Sequence, residues 1–217
     1  MTKQLLRLCL IGLMLLSGVA AASPSYDEGI DYLRIEPPIP TFQSKGKVQV
    51  VEFFWYGCPH CFHFEPYLEN WLKSKPKNVE FVRVPAVLNP NWEILGRAYY
   101  ASKLLGVEKQ SHEALFNAIH VQGRNLNSEP ALARFFTQFG VSEKKFREAY
   151  TSMWVDTRIR QARTLGKEAN VRGVPSVMVD GKFLLNGELA GGNENMLKIV
   201  DYLIKKESTA AHATAGK

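Results

Sequence analysis

Between Val50 and Phe64 the sequence VVEFFWYGCPHCFHF changes character. Aromatic and β-branched residues give way, across Gly57, to Cys58-Pro59-His60-Cys61 and then to amphipathic sequence. This reads as a strand from Val48 to Trp55 passing into a helix that begins at about Pro59. Proline suits the first helical position, where its missing N–H has no intrahelical partner to lose. The strand is apolar nearly throughout, which marks a strand buried on both faces and an α/β layering around it. Glu52 is the one acid in it.

The rest of the chain supplies those layers. Tyr32 to Ile35 is a short strand candidate, and Pro37, Pro38 and Pro40 impose an extended connection after it. The helix from Pro59 is expected to reach Lys75, with a kink or break at Pro66. Val79 to Val84 follows as a strand, completing a parallel βαβ unit. From Asn89 to Arg163 the pattern is helical. Trp92 to Leu105, His112 to His120, a segment from Pro130 to Gly140 and a longer one from Ser142 toward Leu165 are the candidates. Strands resume at Ser176 to Val179 and Lys182 to Leu185, joined by Asp180-Gly181 as a two-residue hairpin. Asn193 caps a last amphipathic helix. The expected division is a first α/β part over 23–88, an inserted all-helical domain over 89–163, a second α/β part over 164–207, and a small, polar, disordered tail over 208–217.

Residues 1–22 read as a cleaved secretory signal. Lys3 and Arg7 precede an apolar core from Leu8 to Leu16, and Ala20-Ala21-Ala22 offers a cleavage site. Their removal takes two bases and no acid, so the net charge falls from +6 to +4. An exported chain of this mild basicity is not expected to bind nucleic acid. Of three cysteines, Cys9 leaves with the signal, so Cys58 and Cys61 are the only thiols of the mature chain.

Three chemistries compete for that pair. A structural disulfide closing about four residues restricts the unfolded chain by only about 2 kcal/mol, against nearly 5 kcal/mol for a loop of about a hundred. A zinc site could draw on His60 and His63, but no second cysteine pair exists, and His112, His120 and His212 are isolated in sequence. A redox dithiol fits the placement best. Cys58 at a helix N-terminus faces free N–H groups and the positive end of the helix dipole, which favour a thiolate. Cys61, one turn on, is the less exposed, resolving sulfur. His60 between them can stabilise the Cys58 thiolate as a cation or a donor. A stabilised thiolate favours the reduced form, so the disulfide is oxidising.

Glu52-Phe53-Phe54, Cys58-Pro59-His60-Cys61, Phe64-Glu65 and Arg172-Gly173-Val174-Pro175 together resemble the DsbA family of bacterial periplasmic thiol:disulfide oxidoreductases. The resemblance extends over nearly the whole mature chain, including the helical insertion and the closing Asp180-Gly181-Lys182 turn. It implies a thioredoxin fold with an inserted helical domain and a cis Val174–Pro175 peptide beside the cysteines. There Val174 can pair its backbone with an extended substrate. It also places Glu52 and Glu65 beneath the pair, where a raised carboxylate pKa assists proton transfer from Cys61. The implied activity is donation of the Cys58–Cys61 disulfide to reduced, folding exported proteins in the periplasm. Reoxidation falls to a quinone-linked membrane partner of the DsbB type. No cofactor or metal is expected in the chain, and a monomer is expected. An isomerase or reductase, or a peptide-binding chaperone module, is the alternative. Trp55-Tyr56-Gly57 and the helical domain depart from the shared motifs and bear on partner choice.

Overall fold

The computed structural model describes residues 25–41 and 46–215. The expected signal, with Cys9, lies outside the described residues, as do the last two residues of the chain. Five strands form one mixed sheet: β1 (Leu33–Arg34), β2 (Val48–Phe54), β3 (Val79–Pro85), β4 (Ser176–Val179) and β5 (Phe183–Asn186). Their order is β1-β5-β4-β2-β3. β2 and β3 are parallel, with Glu52 opposite Arg83, while β4 runs antiparallel to β2 with Phe53 opposite Ser176.

α1 (Pro59–Ser74) connects β2 to β3 and completes the βαβ unit. Five helices follow between β3 and β4: α2 (Pro90–Leu104), α3 (Glu108–His120), α4 (Glu129–Phe136), α5 (Glu143–Tyr150) and α6 (Met153–Glu168). α7 (Asn193–Ala215) closes the chain. This is the architecture expected of a thioredoxin fold interrupted by helices.

Alternation along β2 sorts its residues to two faces. Val48 and Val50 pack with Phe64, Leu68 and Trp71 of α1 and with Val200 and Leu203 of α7. Val51 and Phe53 join the core that the helical insert builds, around Leu95, Tyr99, Phe116 and Ile159. Full burial of one such side chain contributes roughly 1.5–3 kcal/mol, so the insert is fixed to the sheet by its own core.

Helix ends follow their caps. The Asn89 side chain accepts from the N–H groups of Asn91 and Trp92 at 3.0 and 3.2 Å, and Ser128 and Ser142 cap α4 and α5 in the same way. Four expectations are corrected here. The helix through Pro66 is continuous, and no break occurs. The long helix expected from Ser142 is two helices, because Ser152 caps a new one on the Val155 N–H. The second of these runs to Glu168, past the expected boundary at 163. The tail is not disordered from 208: α7 continues to Ala215. Alanine favours helix, and the Ser208 hydroxyl donates to the Ile204 carbonyl at 2.8 Å.

The hairpin is also corrected. Asp180 and Gly181 have φ of 53° and 65°, the left-handed pair of a type I′ turn. The register pairs Val179 with Phe183, so Lys182 joins the loop and it holds three residues rather than two. Gly181 is required twice over, by its φ and by the Ile39 carbonyl, which a Cβ there would meet at 2.0 Å. Gly181→Ala is expected to destabilise the protein by more than about 1 kcal/mol, read as a lower urea midpoint at unchanged slope.

Candidate redox site

β2 ends at Phe54, and four residues later the chain enters α1 with Cys58 as its N-cap, φ −90° and ψ 117°. The turn is held by the Cys58 N–H donating to the Trp55 carbonyl at 2.9 Å. Both thiols are free. Cys58 is 8% exposed, and Cys61, pointing back under the first turn, is fully buried. Both sulfurs are thus largely covered, Cys58 keeping a small exposed fraction and Cys61 none.

The two sulfurs ionise in opposite directions. The Cys58 thiol is lowered to about 6. The largest cause is the Cys61 thiol, which hydrogen-bonds to the Cys58 sulfur. The N–H groups of Cys61 and His60 and the His60 charge add to it, against burial. Cys61 is raised far above an ordinary thiol, by burial first and then by Cys58 itself. His60 thus contributes less than the neighbouring sulfur, and its ring charge less than its backbone N–H. Pro59 and His60 are both exposed, on the first turn of α1.

Across from the pair, the Val174–Pro175 peptide is cis. The Cys58 sulfhydryl donates to the Val174 carbonyl at 3.3 Å. A thiolate cannot donate, so ionisation frees that carbonyl as it turns the sulfur toward the N–H groups of α1.

Beneath the pair lies a buried charge cluster. Glu52 is fully buried, and Glu65 is 9% exposed. Arg83 lies between them. Its Nε donates to Glu52 Oε2 at 3.0 Å, and its Nη2 to Glu65 Oε2 at 3.2 Å and to Glu69 Oε1 at 2.6 Å. Burial, and then the Glu65 charge, push Glu52 up to about 8 against the pull of Arg83. Burial also pushes Glu65 upward, but the His112 ring and Arg83 beside it hold it below the usual carboxylate range. The two carboxylates are therefore driven apart, one neutral and one ionised near neutral pH.

Three contributors are invisible as motifs. His112 of α3 reaches the cluster, with Nδ1 2.7 Å from the Tyr56 hydroxyl and Nε2 3.3 Å from Glu65 Oε1. His120, two turns further on, places Nε2 2.7 Å from the Tyr56 carbonyl. Both were isolated in sequence, yet their spacing with Phe116 puts all three on one face of α3. Trp92 stacks on Trp55, with ring centroids 4.4 Å apart and planes 2° from parallel. That stack explains Gly57, since a Cβ there would lie 2.4 Å from the Trp55 ring. No group of three or more metal-ligating side chains occurs among the described residues.

The family model described as a DSBA-like thioredoxin domain matches residues 84–203. The thiol:disulfide interchange protein DsbA of Pseudomonas aeruginosa is 37% identical over 209 residues, covering 96% of this chain and 99% of that one. The chain belongs to the DsbA family. The protein of that name from Burkholderia cepacia is 38% identical over 205 residues, 94% of this chain and 97% of its own. In structure, Pseudomonas aeruginosa DsbA superposes with a TM-score of 0.82 at 39% identity, covering 86% of this chain and 97% of that one. The oxidoreductase DsbA from Xylella fastidiosa gives 0.79 at 36% identity, over 86% and 99%.

Arg83 offers a test of the cluster. Arg83→Met strands two buried carboxylates and is expected to cost about 3–5 kcal/mol at pH 8. A carboxylate whose folded pKa is raised destabilises the protein once pH exceeds its unfolded value. The Glu52 share of the deficit therefore shrinks as pH falls toward about 4.5, and the Glu65 share, whose folded pKa Arg83 helps to lower, is lost only below that, read from urea midpoints across pH.

Proposed function

We propose that this protein disulfide oxidoreductase works as an oxidase, giving its Cys58–Cys61 disulfide to reduced proteins that are folding after export. The observation that carries the reading is the opposed environment of the two sulfurs, Cys58 lowered to about 6 and Cys61 raised. A substrate thiolate attacks the Cys58 sulfur. The S–S bond breaks, its electron pair passes to Cys61, and a mixed disulfide forms. Cys61 takes up a proton, and Glu52, held to about 8, is the neutral carboxylic acid placed to supply it. A second substrate thiolate then attacks the substrate sulfur of the mixed disulfide. Cys58 leaves as a thiolate, which its low pKa makes a good leaving group. Two electrons have moved from substrate to enzyme.

Val174 and Pro175 form the substrate contact. Pro175 has no N–H, and the Val174 carbonyl, which receives no S–H bond while Cys58 is in the disulfide, accepts from an extended substrate backbone. Reoxidation requires a two-electron acceptor, for which a quinone-linked membrane partner of the DsbB type is the candidate. The basic, apolar and small-residue pattern of residues 1–22 supports export to the periplasm. Among the described residues no helix is long and apolar enough to cross a membrane. The protein acts as a monomer without a bound cofactor.

An acidic group whose folded pKa lies below its unfolded value stabilises above the unfolded pKa and loses that stabilisation as pH falls through the folded one. Cys58 ionises only in the reduced protein. Reduced protein is therefore expected to melt higher than oxidised protein at neutral pH, and the gap to narrow as pH falls from about 8.5 and to be nearly gone below about 6. Cys58→Ser is expected to abolish oxidation of a reduced substrate peptide. Oxidised protein that melts higher than reduced protein at pH 7 rejects the oxidase direction.

A further inference from the structure

Four buried polar atoms near the cysteine pair have no hydrogen-bond partner: Glu52 Oε1, Trp55 Nε1, Glu65 Oε1 and His112 Nε2. Two of them face each other, with His112 Nε2 3.3 Å from Glu65 Oε1. His112 comes from the helical insert, while Glu65 comes from the helix that carries the cysteines. A histidine in a packed helical core is usually there for its shape. This one is bonded at Nδ1, faces Glu65 with Nε2 and is enclosed around its faces.

The Tyr56 hydroxyl is 2.7 Å from Nδ1. Burial raises that phenol well above its ordinary range, so it keeps its O–H. In the tautomer in which Nδ1 accepts from it, Nε2 carries the proton and faces Glu65. Phe54, Tyr99 and Phe116 stand edge-on around the ring, with centroids at 5.3, 6.2 and 5.3 Å. The imidazole has no room to turn away. Tyr56 is itself held, its carbonyl 2.7 Å from His120 Nε2 two helical turns along the same helix. α3 thus grips the residue two before Cys58 at its backbone and its hydroxyl.

We propose that His112 is a positioning residue for the proton step at Cys61: it fixes Glu65 as the ionised carboxylate of the buried pair and thereby keeps the proton on Glu52. The assignment rests on the Glu52 role given above. The charged and titratable groups facing this pair are Arg83 from β3, Glu69 from α1, and Tyr56 before α1. Tyr99 of α2, whose hydroxyl donates to the Arg83 carbonyl at 3.3 Å, and Glu108 of α3 complete the set. Arg83 touches both carboxylates and so cannot by itself distinguish them. His112 touches only Glu65, and that asymmetry selects which of the two stays ionised. Without it, Glu65 takes up a proton more readily, its repulsion of Glu52 fades, and Glu52 ionises at lower pH.

The test uses the mixed disulfide of full-length protein with glutathione at Cys58. Cys61 gives its proton to the Glu52 carboxylate, its sulfur bonds to Cys58, and glutathione leaves as the thiolate. The rate of glutathione release is expected to rise with pH through a midpoint near 8 in the wild type. In His112→Phe the midpoint is expected to fall by about one pH unit, the size of one lost hydrogen bond to a carboxylate. His112→Gln, whose amide can still donate to Glu65, is expected to restore it. Glu65→Gln is expected to move the midpoint in the same direction, and the double variant with His112→Phe no further. It carries the test should His112→Phe fail to fold. A His112→Phe midpoint at the wild-type pH, with both redox forms melting equally lower, overturns the proposal, since a residue that only packs would do that. Glu52→Gln separates the two readings. A flattened profile there beside an unmoved His112→Phe midpoint defeats the His112 assignment alone. A wild-type profile in Glu52→Gln defeats the Glu52 role and this assignment with it.

Discussion

A sulfur at the N-cap of a long helix is the constraint from which the site follows. β2 must end one short turn before α1 so that Cys58 meets the free N–H groups of the first helical residues, and Pro59 starts that helix without a lost hydrogen bond. The same turn puts Cys61 one helical step inward, where nothing solvates a thiolate. One geometric fact thus makes two unlike thiols from two identical residues. The cis Val174–Pro175 segment then meets Cys58 from the entry to β4, the strand beside β2, and the Val174 carbonyl is occupied only while the sulfur holds its proton.

The interior beneath Cys61 is polar at a cost. Buried ion pairs rarely stabilise a fold relative to apolar packing, because desolvation offsets the attraction. Glu52, Glu65 and Arg83 nevertheless occupy the space between β2, β3 and α1. Their arrangement does what a leucine cluster cannot: it holds one carboxylate neutral and one ionised a short distance from a thiol that must gain and lose a proton. The helical insert takes part in this arrangement. Its α3 supplies His112 to the ionised member and His120 to the loop before Cys58, so the insert is joined to the redox centre by polar contacts as well as by its apolar core.

Legibility in the sequence tracks the range of the interaction. Local rules carried the strand–helix junction, the caps at Ser128 and Ser142, and the turn at Asp180-Gly181, since each depends on a few adjacent residues. Glu52 was visible as an acid in an apolar strand. Its partner was not, because the Glu52–Arg83 pairing is set by the register of two strands. His112 and His120 were likewise beyond reach, for the residue they hold lies 56 and 64 positions away. Their shared face with Phe116 was the one available signal. The tail was misjudged because small polar composition was weighed above the helix propensity of its alanines. The split at Ser152 was missed because the apolar spacing continues across it. His60, prominent by position, yields first place at Cys58 to the Cys61 thiol.

The account turns on two sulfurs that ionise far apart, and thiolate absorbance near 240 nm reads this directly. Reduced mature protein, without residues 1–22 and so without Cys9, titrated across pH, is expected to show one thiolate forming with a midpoint near 6, with no second thiolate forming in the range where the protein stays folded. A single midpoint near about 8.5, the value of an unperturbed thiol, or two thiolates rising together, would contradict it.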